Sequence, residues 1–208
     1  MFHAFDREFN VRPCGYDPTL PIVVCQDFNV DPMAWSLGHL KGEVFEVFDE
    51  IYLRNTNTPE ALRCLLARYS AHTGGFQMYG DASSRGRRTS AYSSDYNHIW
   101  NNSRLRAMGR TMHYLYANPP IADRFAATNA RIRNGEGLCR IFIDPRCVHL
   151  ILDLETRTYK PGTREAADSG DIGHCTDGLG YFCHKKFPLR FDVLQQLNTI
   201  TITKGAGV

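Results

Sequence analysis

The sequence predicts an α/β domain whose mixed sheet combines antiparallel hairpin strands with parallel strands and carries helices on both faces. Three observations predict it. Short apolar runs at residues 22–27, 33–40, 43–52 and 76–79 have the length and β-branched or aromatic content of strands. The second and third runs are separated only by Lys41-Gly42, which reads as a hairpin. A stretch with helical spacing, residues 58–72, lies between the third and fourth runs. A strand, a helix and a strand in that order form a crossover, so the fourth strand should run parallel to its neighbour.

The elements follow in order. Residues 1–20, broken by Pro13, Gly15 and Pro18, read as an irregular lead-in rather than a core element. The run 43–52, with Val44, Phe45, Val47 and Phe48, is too apolar for a half-exposed strand and reads as central. Thr58-Pro59-Glu60 starts the first long helix, with a hydroxyl as the expected N-cap and proline at the first position. Gly74-Gly75 ends it. Beyond the strand 76–79, residues 95–108 read as a helix, 111–116 as a strand and 121–133 as a helix. A short strand at 138–143, a short helix at 147–154 and a helix at 174–184 follow. Gly178 and Gly180 inside the last helix cost stability and point to close packing against another element. The tail at 193–203 alternates like a strand without an obvious place in the sheet.

With 208 residues the chain suits one sizeable domain. No apolar run approaches the length of a membrane span, and no secretory signal opens the chain. A net charge of +2 announces no nucleic-acid partner, but its distribution is uneven. Six arginines and a single acid, Asp95, fall between Arg85 and Arg110, a local excess suited to phosphate. Seven cysteines, an odd number without any C-x-x-C, read as buried thiols of a reducing compartment. The cluster His174, Cys175, Cys183, His184 fits no common zinc spacing. The absence of G-x-x-x-x-G-K-[ST] and of G-x-S-x-G excludes a P-loop ATPase and a serine-elbow hydrolase.

Three acids carry the chemistry. Asp27 and Asp81 stand at or just beyond the ends of apolar runs, and Asp177 lies in the late helix. Carboxylates far apart in sequence but placed this way suit hard divalent cations, which prefer oxygen ligands. Two such ions about 3.5–4 Å apart clamp the attacking and leaving oxygens of a phosphodiester. The segment from Asp27 to Asp31 imitates the start of a calcium-hand loop, but Pro32 replaces the required glycine and Gly38 the closing glutamate. Gly80 to Arg88 joins an acid to small residues and to Arg85, Arg87 and Arg88, an arrangement suited to holding a phosphate backbone beside a metal. His174 and Asp177 share a helix face, where the histidine would bind metal, orient Asp177 or act on a water. Asp171 reads as the N-cap of that helix.

Together these segments resemble the C-terminal nuclease domain of the large subunit of tailed-phage DNA-packaging terminases. The resemblance rests on residues 26–32 (QDFNVDP), 48–51 (FDEI), 79–83 (YGDAS), 89–96 (TSAYSSDY), 118–120 (NPP), 144–147 (DPRC), 158–160 (TYK) and 174–181 (HCTDGLGY). It covers roughly residues 5–185, and departs from the family where Gly178 stands in place of a frequent alanine. The resemblance implies a ribonuclease H-like fold and a two-metal endonuclease that cuts double-stranded viral DNA concatemers into genome units in the host cytoplasm. It implies Mg²⁺ or Mn²⁺ on Asp27, Asp81 and Asp177 as catalytic metal ligands. Asp27 and Asp177 would serve the ion that activates water, and Asp27 and Asp81 the ion at the leaving 3′ oxygen. Asp31, Glu50, Asp171 and His174 are secondary candidates, and Arg85, Arg87 and Arg88 would hold DNA. The family's partners are an ATPase domain, the portal and a small terminase subunit. The ATPase is absent from this sequence, so residues 1–20 are expected to lead in from it, with Met1 an added start, residues 21–190 to form the nuclease and 191–208 a tail. The competing expectations are a binding or assembly module with little activity alone, and a resolvase-like nuclease of the same fold.

Overall fold

The computed structural model describes residues 1–86, 93–163, 167 and 170–189. In chain order the elements are α1 (Arg7–Asn10), β1 (Ile22–Asp27), β2 (Met33–Lys41), β3 (Val44–Leu53), α2 (Thr58–Arg68) and β4 (Phe76–Tyr79). A 3₁₀ turn (Ala82–Arg85), α3 (Asp95–Asn101), α4 (Ser103–Ala107), β5 (Arg110–Met112) and α5 (Ile121–Ile132) follow. The last are β6 (Ile141–Ile143), α6 (Val148–Thr156) and α7 (His174–Lys186).

The six strands form one sheet in the order β5-β4-β1-β2-β3-β6. β1, β2 and β3 pair antiparallel through the expected hairpin. β4 pairs parallel with β1, β5 with β4, and β6 with β3. Both faces are covered, which is why the strands read as continuous apolar runs. On one face Val23, Cys25, Phe45 and Val47 pack with Phe125, Leu150, Leu179 and Phe182 from α5, α6 and α7. On the other, Ile22, Val24, Trp35 and Leu37 pack with Leu62, Leu65, Ile99 and Leu105 from α2, α3 and α4.

Several local expectations are corrected. Asn57, not Thr58, caps α2: its side chain accepts the Glu60 N–H, and the helix ends at Arg68. The helix expected over 95–108 is two helices. Asn102 ends α3 and its side chain accepts the Leu105 N–H to start α4. β5 is shorter than expected, pairing only along Phe76–Met78 of β4. The first residues are part of the core. Phe2 is buried edge-on against Phe125, and the buried Asn10 side chain donates to the Ile132 and Ile141 carbonyls. The seven cysteines are all free thiols, five of them buried. The strand-like tail at 193–203 lies outside the described residues.

Candidate active site

The site forms where the two central parallel strands end. Cys25 of β1 lies opposite Tyr79 of β4, so two residues on, Asp27 and Asp81 leave the sheet at the same level on neighbouring strands. This is the end of a parallel pair where open α/β sheets bind ligands. α7 brings the third acid. It lies directly on β1, so close that a Cβ on Gly178 would come within 2.8 Å of the Cys25 carbonyl oxygen. The glycine next to Asp177 is what lets the helix approach.

Each carboxylate is engaged by a protein donor. Asp27 Oδ2 lies 2.8 Å from His174 Nδ1. His174 therefore orients Asp27, not Asp177. Asp81 caps the 3₁₀ turn: Oδ1 accepts the Ser84 N–H at 3.1 Å and Oδ2 accepts the Ser83 hydroxyl. Asp177 is held by two buried arginines, with Arg124 Nη1 2.7 Å from Oδ1 and Arg157 Nη2 2.9 Å from Oδ2. Arg124 and Arg157 are only 5% and 7% exposed, so these pairs sit largely out of water. Removing one partner of such a pair is costly because the other charge stays buried.

Burial raises the Asp27 carboxyl above its usual range, and the negative charges of Asp177 and Asp81 add to the effect. His174 is raised in turn, chiefly by its hydrogen bond to Asp27. The site is thus a concentration of negative charge that a cation would relieve, and its donors are the hard oxygens that Mg²⁺ and Mn²⁺ prefer. Among the described residues, however, no group of three or more His, Cys, Asp or Glu side chains is gathered ready to hold a metal ion. The donor chemistry fits a divalent cation, while the two arginines now supply part of the positive charge and His174 a hydrogen-bond partner.

The secondary candidates divide. Glu50 is buried and caps α6 from the sheet, accepting the His149 and Leu150 N–H groups at 3.0 Å. Asp31 and Asp171 both bind Arg54, which ties the β1–β2 loop to the segment before α7. That hydrogen bond holds the Asp171 carboxyl below its usual range. Asp171 is not the cap of α7, whose first N–H groups have another acceptor. Asp153 of α6 accepts the Cys175 and Thr176 N–H groups at 2.9 and 3.3 Å. Arg85 is exposed at the end of the 3₁₀ turn, whereas Arg87 and Arg88 lie outside the described residues.

Sequence reading missed Arg124, Arg157 and Asp153. A signal existed for the first: Arg124 shares the buried stripe of α5 with Phe125, Thr128 and Ile132. A charge on an apolar face needs a buried partner. Nothing local marks Asp153 or Arg157, whose partners lie about a turn into another helix.

No protein-family model matches the sequence, and no curated protein matches it. Solved structures do. The large terminase of the thermophilic bacteriophage D6E, in complex with ADP, superposes with a TM-score of 0.62 at 16% identity over 88% of this chain. The chain spans only 44% of that protein. The large-terminase nuclease of thermophilic phage G20c with bound cobalt gives 0.56 at 12% identity, covering 88% of this chain and 94% of that one. The nuclease domain of the bacteriophage SPP1 large terminase with bound Mn gives 0.52 at 15% identity, covering 85% and 96%. The fold is that of a phage large-terminase nuclease domain. It is a ribonuclease H-like fold. The near-complete coverage of the separate nuclease domains, against less than half of the D6E protein, locates the likeness in the nuclease part. Among the described residues no helix of this terminase-nuclease fold is long and apolar enough to cross a membrane.

Proposed function

We propose that this chain is a divalent-metal-dependent endonuclease that hydrolyses double-stranded DNA, cutting concatemers into genome units during phage packaging. The observation that carries the reading is the convergence at one sheet end: Asp27 and Asp81 level on adjacent parallel strands, with Asp177 brought against β1 by α7. The bound Mn and cobalt of the SPP1 and G20c nucleases support a divalent metal. Asp27, Asp81 and Asp177 would hold two Mg²⁺ or Mn²⁺ ions, which when bound supply a polarised phosphodiester and a nucleophilic water at neutral pH. The chain's own side chains prepare the site. His174 fixes the rotamer of Asp27 through its 2.8 Å contact. Arg124 and Arg157 fix Asp177 and balance its charge until a cation takes over. Arg85, with Arg87 and Arg88, would position the backbone without reading bases. In this reading the nuclease comprises residues 21–190 together with the core-packed first residues. Its partners are duplex DNA, an ATPase domain, the portal and a small terminase subunit, in the host cytoplasm.

One observation favours the rival reading of a binding module with little activity alone: both oxygens of Asp177 are taken by guanidinium groups. Incubation with supercoiled plasmid separates the two. The nuclease reading expects nicking with Mn²⁺, none with a chelator, and loss of at least ~10²-fold in rate on Asp81→Asn, with DNA binding retained. Undiminished cleavage by that variant would show that the wrong carboxylate has been chosen.

A further inference from the structure

Beyond Asp81 the surface carries an alternating file of aromatic rings and arginines. The Arg85 guanidinium lies between two tyrosines, 4.6 Å from the Tyr116 ring centre and 5.2 Å from that of Tyr96. Tyr96 lies nearly parallel to Trp100, at 10° and 6.2 Å. Arg110, half-buried, then covers Trp100 at 4.5 Å; burial lowers its pKa, and the charge of Arg106 adds to the effect. The file starts at the site itself, since Asp81 caps the 3₁₀ turn that ends in Arg85. Tyr96 also meets Tyr114 edge-on at 5.4 Å, and Tyr114 lies against Gly80.

Two of the three rings of the file are exposed, while Tyr96 is half-buried against the core. Tyr116 is 90% exposed and Trp100 49%, so neither is needed to fill a core. Exposed contacts between a cation and a ring add little to stability. Asp95, next to Tyr96 at the start of α3, accepts the Thr58 hydroxyl. What remains is a positive strip with flat apolar faces. Duplex DNA offers phosphates to such a strip but keeps its base faces stacked inside. An unpaired strand offers both, and base stacking on aromatic side chains is tolerant of sequence.

We propose that the strip Tyr116–Arg85–Tyr96–Trp100–Arg110 is a binding track for a single-stranded segment of DNA entering or leaving the Asp81 side of the site. Bases would stack on Tyr116 and Trp100, with phosphates on Arg85, Arg106 and Arg110. The inference rests on the nuclease reading for its choice of DNA. It goes beyond that reading in assigning an unpaired strand its own surface. The substrate preferred there would be a frayed or locally melted duplex over an intact one.

The chain has two tryptophans, and Trp35 is fully buried, so a fluorescence change on ligand binding reports Trp100. In a chelator, where nothing is cut, a thymidine oligonucleotide of about 12 residues and a duplex of equal length would be titrated into the full chain. The expected result is quenching by the oligonucleotide and tighter binding of it than of the duplex. Tyr116→Ala, at an exposed position that does not threaten folding, should weaken the single strand at least ~5-fold while leaving the duplex within about twofold. An unquenched tryptophan at saturation would overturn the proposal. So would a Tyr116→Ala variant that weakens both ligands equally or neither. Plasmid cleavage insensitive to Asp81→Asn would instead sink the nuclease reading, with the single-strand preference left standing.

Discussion

Arginines flank the candidate site on two sides in opposite environments. Arg124 and Arg157 are buried under α7, and all the described hydrogen bonds of their guanidinium groups stay inside the protein. Arg124 binds Asp177, and Arg157 binds Asp177, the Thr176 hydroxyl and the Gly173 carbonyl. Arg85 sits at the surface beyond Asp81, against the open ring of Tyr116, while Arg110 further along is half-buried and donates to the Trp100 carbonyl. The same side chain does different work in each place. On the Asp177 side arginine is part of the scaffold, because a buried carboxylate without a partner is untenable. On the Asp81 side it leaves its charge available to phosphate. One half of the site is built for position and the other for access.

The largest expected effect tests the buried half. Arg157→Met should cost about 3 kcal/mol and lower Tm by roughly 10 °C, since it leaves Asp177 with Arg124 alone and strips the start of α7 of the bonds to the Gly173 carbonyl and the Thr176 hydroxyl. Mn²⁺ should restore more of the lost Tm in this variant than it adds to the wild type, because a cation at Asp177 replaces the missing charge. A thermal scan with and without Mn²⁺ reads both, and a variant as stable as the wild type would make the pair ornamental.

A smaller effect concerns how α7 is held. Burial raises the carboxyl of Asp153 above the usual carboxylate range. A raised acid binds its proton more tightly in the native state than in the unfolded one, so its contribution to stability falls as pH rises from about 4 through the native pKa. The loss is about 1.4 kcal/mol for each unit separating the two pKa values. Asp153→Asn keeps an oxygen acceptor for the cap and removes the titration. Urea midpoints measured from pH 4 to 7 should therefore show the wild type losing ground to the variant as pH rises. A constant difference would mean that Asp153 ionises as freely as in the unfolded chain.

The smallest effect belongs to the exposed half. Arg85→Met should cost less than ~1 kcal/mol of stability. It should also make the slope of log affinity for duplex DNA against log salt shallower by about one. A large fall in Tm would move Arg85 into the scaffold and erase the contrast between the two halves.

What was legible in the sequence follows the range of the interactions. β1 and β4 were readable to the residue because both of their faces are buried, which leaves a continuous apolar run. The crossover between β3 and β4 announced a parallel strand, but that β1 is its neighbour, which sets Asp27 level with Asp81, came only from the structure. Gly178 announced a close approach, and the Cys25 carbonyl is what it approaches. Local caps were less legible, since Asn57 and Thr58 are both good caps and only backbone geometry chooses between them. The supports of Asp177 were illegible. Arg124 and Asp177 are 53 residues apart, and no short pattern records which buried charge meets which. The same is true of Glu50, which looked like a site acid and instead caps a helix 99 residues away.

The central claim is that Asp27, Asp81 and Asp177 form a divalent-metal site. Anomalous scattering from a crystal soaked in Mn²⁺ tests it most directly. The account predicts manganese between the Asp27 and Asp81 carboxylates, with Asp177 turned from at least one of its arginines toward the ion. Manganese bound elsewhere, or none bound while Asp177 keeps both arginines, would contradict it.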